Sequence, residues 1–530
     1  MKRYICTFLS LIAIACLSAC SDFLDVTPEK NPSDGTFFAT DKDATDAINA
    51  CYWVLNREET FGRDLFWEQA GGGDDLIYGR SRGEDQNNLA NFTYTGRESP
   101  LRTNWQMYTE YIAKTNWIIY NLLRKSALSP VEQNRLGEAY FMRAFCHFFV
   151  AYRYGRADQG VPFDRYEDYD PYEYQIPEQR ASVMENYDLI IQDLEKAASL
   201  LPFFEEYPEA DYGRAHRVAA WAYMVKVYAY WAQHDASKWA LIPPLVDRIE
   251  SEGRRGLLDH YADVFAIANN WSREYIWSVN SSGYNYAGSE FPGVVLENKG
   301  WGRYNGWGYF KPTLGLYNEF AEGDRRRGVT ILAYNDEFVF FGETRRFYST
   351  SDLEAGFQLA KYMEPFTHGT VSEGIGISDR ISPNGDRPTT DLSLPLIRHA
   401  EMVLFKAEAL IMQNNGGAAA AELNRLTRRA GLGDVYTVAT PDNLKHERRC
   451  ELAGEFTDRF MDLKRWQEWD KLNAPKLGRH YEERGNPESP WTSVEVWPAR
   501  NFNPSTDIVF PYNPDDVVKA DGKLRQNPVD

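Results

Sequence analysis

What this chain lacks narrows it first. Of its six cysteines, Cys6, Cys16 and Cys20 fall at the extreme N-terminus. Cys51, Cys146 and Cys450 lie far apart, so no disulfide framework or C-x-x-C metal pair is visible. Cys146, in Phe145-Cys146-His147-Phe148-Phe149, reads as a small buried hydrophobe. Past residue 20 no apolar run approaches the roughly 20 residues of a transmembrane helix. Basic residues are in deficit: 58 Lys and Arg against 77 Asp and Glu leave a net charge of −19. That argues against nucleic acid and against adsorption on anionic headgroups. No G-x-S-x-G or Walker A stretch occurs. His446-Glu447-Arg448-Arg449-Cys450 has cysteine where a zincin helix needs its second histidine. Asp74-Asp75 and Asp515-Asp516 offer oxygen ligands for a structural calcium, but neither has EF-hand spacing and solvated surface is the simpler reading. No other cofactor is expected. Paired carboxylates for glycoside hydrolysis are not decided by counting, because their separation is three-dimensional.

What is present begins at the N-terminus. Lys2 and Arg3 precede an apolar run at 4–17 that is too short to span a bilayer and ends in small residues. That is the pattern of a secretory signal. Leu17-Ser18-Ala19-Cys20 resembles the bacterial lipobox, whose cysteine is diacylated and becomes the new N-terminus. Residues 1–19 are therefore read as a signal peptide. Residues 20–40, with Pro28 and Pro32, are read as a lipidated flexible tether.

Helical pattern runs over 41–56, and 57–100 looks loop-like, with Gly71-Gly72-Gly73-Asp74-Asp75 and Asn87-Asn88. A long helix is expected at 102–125. Ser129-Pro130-Val131-Glu132 is a helix start with capping serine, first-turn proline and capping-box glutamate. Leu136, Tyr140, Ala144, Phe148 and Tyr152 then form one buried stripe, stopped by Gly155. Helices at 182–200 and 214–233 follow. Ala219, Ala220, Ala222 and Ala229 in the second allow close helix approach. The result is a mostly α chain of helix pairs, suggestive of tetratricopeptide-like units without their strict 34-residue signature. From 256 to 391 the character changes: Gly, Asn, Ser, Tyr and Trp dominate, with short strands such as Tyr275-Ile276-Trp277-Ser278-Val279 and Glu337-Phe338-Val339-Phe340-Phe341. Helices resume at 397–413, 417–430 and 441–471. The division is thus a helical scaffold (41–255 and 392–475), an inserted loop-rich block (256–391) and an irregular C-terminal segment (476–530). Loops carried on a rigid scaffold are a common way to build a binding face.

In the last helix Glu447, Glu451 and Glu455 share a face, and Glu455 can meet Arg459 four residues on. Taken alone this is a salt-bridged helix face. The wider segment, through Asp462-Leu463 and Arg465-Trp466, resembles the signature of the SusD/RagB family of outer-membrane nutrient-binding lipoproteins. Further matches fall in the family's order: Glu138 to Ala144 with Tyr154-Gly155 and Val161-Pro162; Tyr187 to Ala197 with Gly213-Arg214; Leu394 to Glu401 with Ala407-Glu408-Ala409; Leu423-Asn424 with Arg429 to Leu432; and Leu524 to Pro528, although the chain then ends Val529-Asp530. The resemblance spans nearly the whole chain and is weakest over 256–391. It implies an α-helical scaffold of four tetratricopeptide-like pairs. It also implies a non-catalytic, surface-exposed lipoprotein of the outer membrane that captures glycans, or in some members peptides, for a SusC-like TonB-dependent transporter. Asp22, just behind Cys20, is compatible with the acidic residues that direct such lipoproteins outward.

Aromatics make up 15 % of the chain, and those in glycine- and asparagine-rich stretches are the candidates for ligand contact. Sugar rings present C–H faces that lie on Trp or Tyr, and hydroxyls that need polar partners. Two stretches offer both. One holds Tyr284, Tyr286, Trp301, Tyr304 and Trp307; the other runs from Asp74-Asp75 through Tyr78 and Arg80 to Asn87-Asn88. A peptide-binding subunit of a RagB-like importer is the alternative, and a surface glycoside hydrolase a third reading.

Overall fold

The computed structural model describes residues 38–79, 83–168, 171–172, 176–281, 290–296, 306–340, 343–347, 355–363, 389–483, 486 and 488–528. Residues 1–37, which hold the expected signal peptide, Cys20 and most of the expected tether, lie outside them.

In chain order come α1 (Asp41–Tyr52), α2 (Asp64–Gly72), β1 (Leu76–Tyr78), α3 (Glu84–Asn91), α4 (Ser99–Leu123), α5 (Pro130–Tyr154), α6 (Val183–Leu200), α7 (Arg217–Trp231) and α8 (Ile242–Ser251). Next are β2 (Tyr275–Val279), β3 (Phe310–Pro312), α9 (Leu314–Glu319), α10 (Arg325–Thr330), β4 (Ile331–Ala333), β5 (Glu337–Phe340), β6 (Glu343–Arg346) and β7 (Phe357–Leu359). Then follow β8 (Leu394–Arg398), α11 (His399–Met412), α12 (Gly416–Ala430), α13 (Pro441–Leu452), α14 (Arg459–Arg465), α15 (Trp469–Asn473), β9 (Lys476–Tyr481), β10 (Trp491–Trp497) and α16 (Pro514–Lys519). Helices dominate, and consecutive long ones pack in pairs: α4 on α5, α5 on α6, α6 on α7, α7 on α8, and α11 on α12. Among the described residues the strands form five two-stranded antiparallel pairs.

α5 is the centre. Ser129 caps it through the backbone N–H of Glu132, and the Glu132 carboxylate reaches back to the Ser129 N–H. The stripe from Leu136 to Tyr152 is buried, but so is nearly every other residue of the helix. Its charged side chains therefore work as internal ties. Arg143 donates to Asp193 of α6, to Asn116 of α4 and to Glu167. Arg153 donates to Glu68 of α2 and to Asp458, each at 2.9 Å. The helix ends at Tyr154, where Gly155 turns extended. Its last carbonyl is taken by Asn527, which also donates to Phe510 O and is 1 % exposed. The C-terminal Gln-Asn-Pro thus serves as a cap for the central helix.

Three sequence expectations need correction. Among its described residues the 57–100 stretch holds two α-helices, α2 and α3. α2 was invisible because it is buried on every face and so has no amphipathic period. Its Gly71 and Gly72 are packing glycines: a Cβ on the first would meet the Tyr78 hydroxyl, and on the second the Phe460 ring. The expected helix at 441–471 is three helices, α13, α14 and α15. α13 ends before Gly454, whose φ of +76° the helix cannot accommodate. Finally, 476–530 contains the β9–β10 hairpin.

The 256–391 block joins the scaffold through a clasp. β2 pairs with β8, Tyr275 opposite Arg398 and Val279 opposite Leu394, so the chain is gripped near both ends of the block.

Candidate ligand-binding face

The glutamates of α13 and the turn after it hold the block in place. Arg398, 1 % exposed, donates to Glu274 and Glu451 at 2.8 Å and to both oxygens of Glu455 at 2.7 and 2.8 Å. Arg429 also bonds Glu274 and Glu451. From the block, Lys361 reaches Glu455 at 2.6 Å and the Ala453 carbonyl at 2.7 Å. Arg326 bonds Asp324 at 2.7 Å and Glu447 at 2.8 Å. Arg449 joins Asp75 to Glu319 of α9, each at 2.6 Å. The expected Glu455–Arg459 pair is not formed, because the turn at Gly454 swings Glu455 onto Arg398 while Arg459 takes Asp74. Asp74 and Asp75 are therefore neither solvated surface nor calcium ligands; arginines saturate them. Asp515 is exposed and lies 3.6 Å from Arg97. The charged signature is a buried hub, not an exposed helix face.

The hub sets a pH dependence. Burial alone would raise the Glu451 carboxyl, but Arg429, Arg398 and Arg326 outweigh it and hold it at about 2, against an ordinary 4.5. Burial is likewise outweighed at Asp462 by Arg448 and Arg465, which bring it from 3.8 to about 2. Groups depressed in the folded state contribute stability that is present above their unfolded values and lost as pH falls toward the folded ones. Asp64, pushed up to about 6 by burial, acts oppositely, gaining stability as pH falls from 6 toward 3.8. Urea unfolding is thus expected to show a modest gain in stability as pH falls from 6 to 4.5, where Asp64 takes up its proton, and a loss on the order of a few kcal/mol between pH 4.5 and 2.

Beside this clamp, β1 pairs with β3, Tyr78 opposite Phe310, which brings the end of the 57–79 stretch against residues 306–312. The backbone of Trp307 donates to Val294 at 2.7 Å and that of Tyr309 to Val295 at 3.0 Å, fixing the segment before β3 on the π-helical turn Phe291–Leu296. Trp307 and Tyr309 flank Gly308, whose φ of +60° turns the chain out of strand geometry, and both end half-buried. Their ring centroids are 5.4 Å apart. A ladder continues inward through Trp67, 4.9 Å from Tyr309, to Tyr78, 4.8 Å from Trp67. The Arg63 guanidinium lies 6.0 Å from the Trp307 ring and pairs with Glu58 and with Asp64 at 2.9 Å. Half-buried rings beside charged hydrogen-bonding groups form an amphipathic face.

Of the expected ligand residues, Trp307 is at this face. Tyr78 is not: it is 2 % exposed and its hydroxyl donates to the Trp67 carbonyl at 2.8 Å. Its place in β1 turns it under α2, where it fills core, so it is corrected to a packing residue. Tyr284, Tyr286, Trp301, Tyr304 and Arg80 lie outside the described residues. Arg63, Trp67 and Tyr309 were not anticipated. The available signal for Tyr309 was its place in the same glycine-rich aromatic stretch as Trp307.

Two family models match the chain. One, described as SusD family, covers residues 380–529; the other, described as starch-binding associating with outer membrane, covers 22–229. SusD-like protein P2 of Formosa agariphila is 26 % identical over 565 aligned positions, spanning 100 % of both chains. A SusD-like protein of Bacteroides fragilis superposes with a TM-score of 0.74 at 20 % identity, covering 94 % of this chain and 99 % of that one. Surface glycan-binding protein A of Bacteroides thetaiotaomicron, solved in complex with laminarihexaose, gives 0.69 at 20 % identity over 92 % of this chain and 99 % of that one. At such identities the structural likeness establishes the fold.

Proposed function

The chain belongs to the SusD family, and from that premise we propose that it is a non-catalytic glycan-binding lipoprotein of the cell surface. It captures oligo- or polysaccharide and delivers it to a SusC-like TonB-dependent transporter in the outer membrane. The observation that carries this reading is the half-buried Trp307–Tyr309 pair beside Arg63. Rings held in that way offer flat apolar surface to the C–H face of a sugar, while neighbouring polar groups take its hydroxyls. The relative solved with laminarihexaose supports a saccharide as the ligand class.

In this reading residues 1–19 are removed, 20–40 tether the protein, and 41–530 act as one SusD-like domain with 256–391 facing the ligand. Several acyl chains on Cys20 make release negligible, and the tether keeps the binder at high local concentration beside its transporter. Cys20→Ala is expected to shift the protein from the membrane pellet to the soluble fraction. Retention in the pellet after that change would remove the anchor from the account.

Native affinity gels cast with starch, laminarin, xylan, mannan or arabinogalactan test the ligand class. Retarded migration in at least one of them is expected. Unaltered migration in all five would count against glycan capture.

A further inference from the structure

A cavity of about 570 Å³ opens in the helical scaffold, between the ends of α5 and α7, the start of α6, α14 and the segment after β10. None of its lining residues belongs to 256–391 or to the Arg63–Trp307 face, so it is a separate feature. Its volume lies in the range of small-molecule sites.

Tyr152, Tyr187 and Tyr230 line it, together with Trp469 and the carboxamide residues Gln233 and Gln467. Tyr187 is 2 % and Tyr230 6 % exposed. Tyrosine hydroxyls this deep ordinarily find a protein partner. The Tyr152 hydroxyl does, accepting from Arg153 and donating to Asp458 at 3.4 Å. The hydroxyls of Tyr187 and Tyr230 bond to no described residue, although both residues line the cavity. The rings are nonetheless fixed, Tyr230 packing 5.0 Å from Tyr152 and Tyr187 6.3 Å from Phe148.

Charge does not select the guest. Arg465 is neutralised by Glu408 and Asp462, Arg156 pairs with Asp158, and the Lys464 ammonium, which has no hydrogen-bond partner among the described residues, is buried out of reach of a guest over the Phe460 and Phe510 rings at 4.0 and 4.6 Å. What the cavity offers is aromatic surface with uncharged donors and acceptors, the chemistry that suits a neutral hydroxylated ring. We propose that it is a second saccharide subsite, taking one or two neutral sugar units. The inference rests on the glycan-binding reading and adds a place where a chain end or branch is held by the scaffold itself.

Saturation-transfer NMR with maltose, cellobiose, laminaribiose and xylobiose tests it on three full-length proteins: native, Trp307→Ala, and Trp307→Ala combined with Tyr187→Phe and Tyr230→Phe. The two Phe changes delete hydroxyls that bond to no described residue, so the melting temperature should not fall. At least one disaccharide should still give transfer with Trp307→Ala. Its affinity should drop about tenfold in the triple variant, the loss of two hydrogen bonds. No transfer to the Trp307→Ala protein, or transfer undiminished by the Phe changes, overturns the subsite. Polysaccharide binding that vanishes entirely with Trp307→Ala would leave glycan capture standing and sink only this inference. Native protein that binds no polysaccharide at all would sink the glycan-binding reading itself.

Discussion

Replacing Arg398 by methionine is expected to lower stability by roughly 3–5 kcal/mol, the cost of breaking a buried ion pair from one side. Arg398 sits among Glu274, Glu451 and Glu455, all nearly or fully buried. Methionine fills much of the same volume, so the loss is electrostatic rather than a cavity. Arg429 and Lys361 remain beside the stranded carboxylates, which keeps the effect from growing further. The damage should also be local. Glu274 and Lys361 lie in the 256–391 block and meet the scaffold at this point, so amide exchange in β2 and around Lys361 should quicken while the centre of α5 stays protected. Adding Glu455→Gln to Arg398→Met should recover part of the loss, since one stranded charge is then gone. Equilibrium urea unfolding of both variants checks this. A single variant as stable as the native protein would mean that the hub does not hold the block.

The second large effect is on binding. Trp307→Ala is expected to weaken the retained glycan by about 2 kcal/mol, roughly thirtyfold in Kd, as truncation of a central aromatic anchor does. The ring is half-buried, so the melting temperature should move far less than for a core tryptophan. Trp307→Phe, which keeps a flat ring, should recover most of the affinity. Titration calorimetry set beside thermal melts separates the outcomes. An unchanged Kd would remove Trp307 from the ligand face. A loss of binding that tracks a large fall in melting temperature would make it a packing residue, as Tyr78 proved to be.

Much of the scaffold was legible because its helices carry local signals. The capping box at Ser129 and the periodic stripe of α5 needed nothing beyond neighbours in sequence. Partners could not be read in the same way. The i, i+4 rule joined Glu455 to Arg459, yet a glycine between them turned the chain, and the true partner, Arg398, is 57 residues away. Burial on all sides hid α2, since a helix without a polar face has no period to detect. The same limit governs the ligand face. Aromatic content marked out the 256–391 block as the candidate, but whether a given ring fills core or meets solvent depends on which strand pairs with which. Tyr78 and Trp307 lie in neighbouring segments, one on the paired strand β1 and one just before β3, and only Trp307 keeps part of its surface outside.

Isothermal titration of the intact chain tests glycan capture most directly. Starch, laminarin, xylan, mannan and arabinogalactan would be titrated alongside extended peptides of mixed sequence. Saturable binding to at least one glycan, weakened by Trp307→Ala, with no heat from the peptides, is the expected result. Clear peptide binding with no response to any glycan would contradict it and would place the chain among the peptide-capturing subunits.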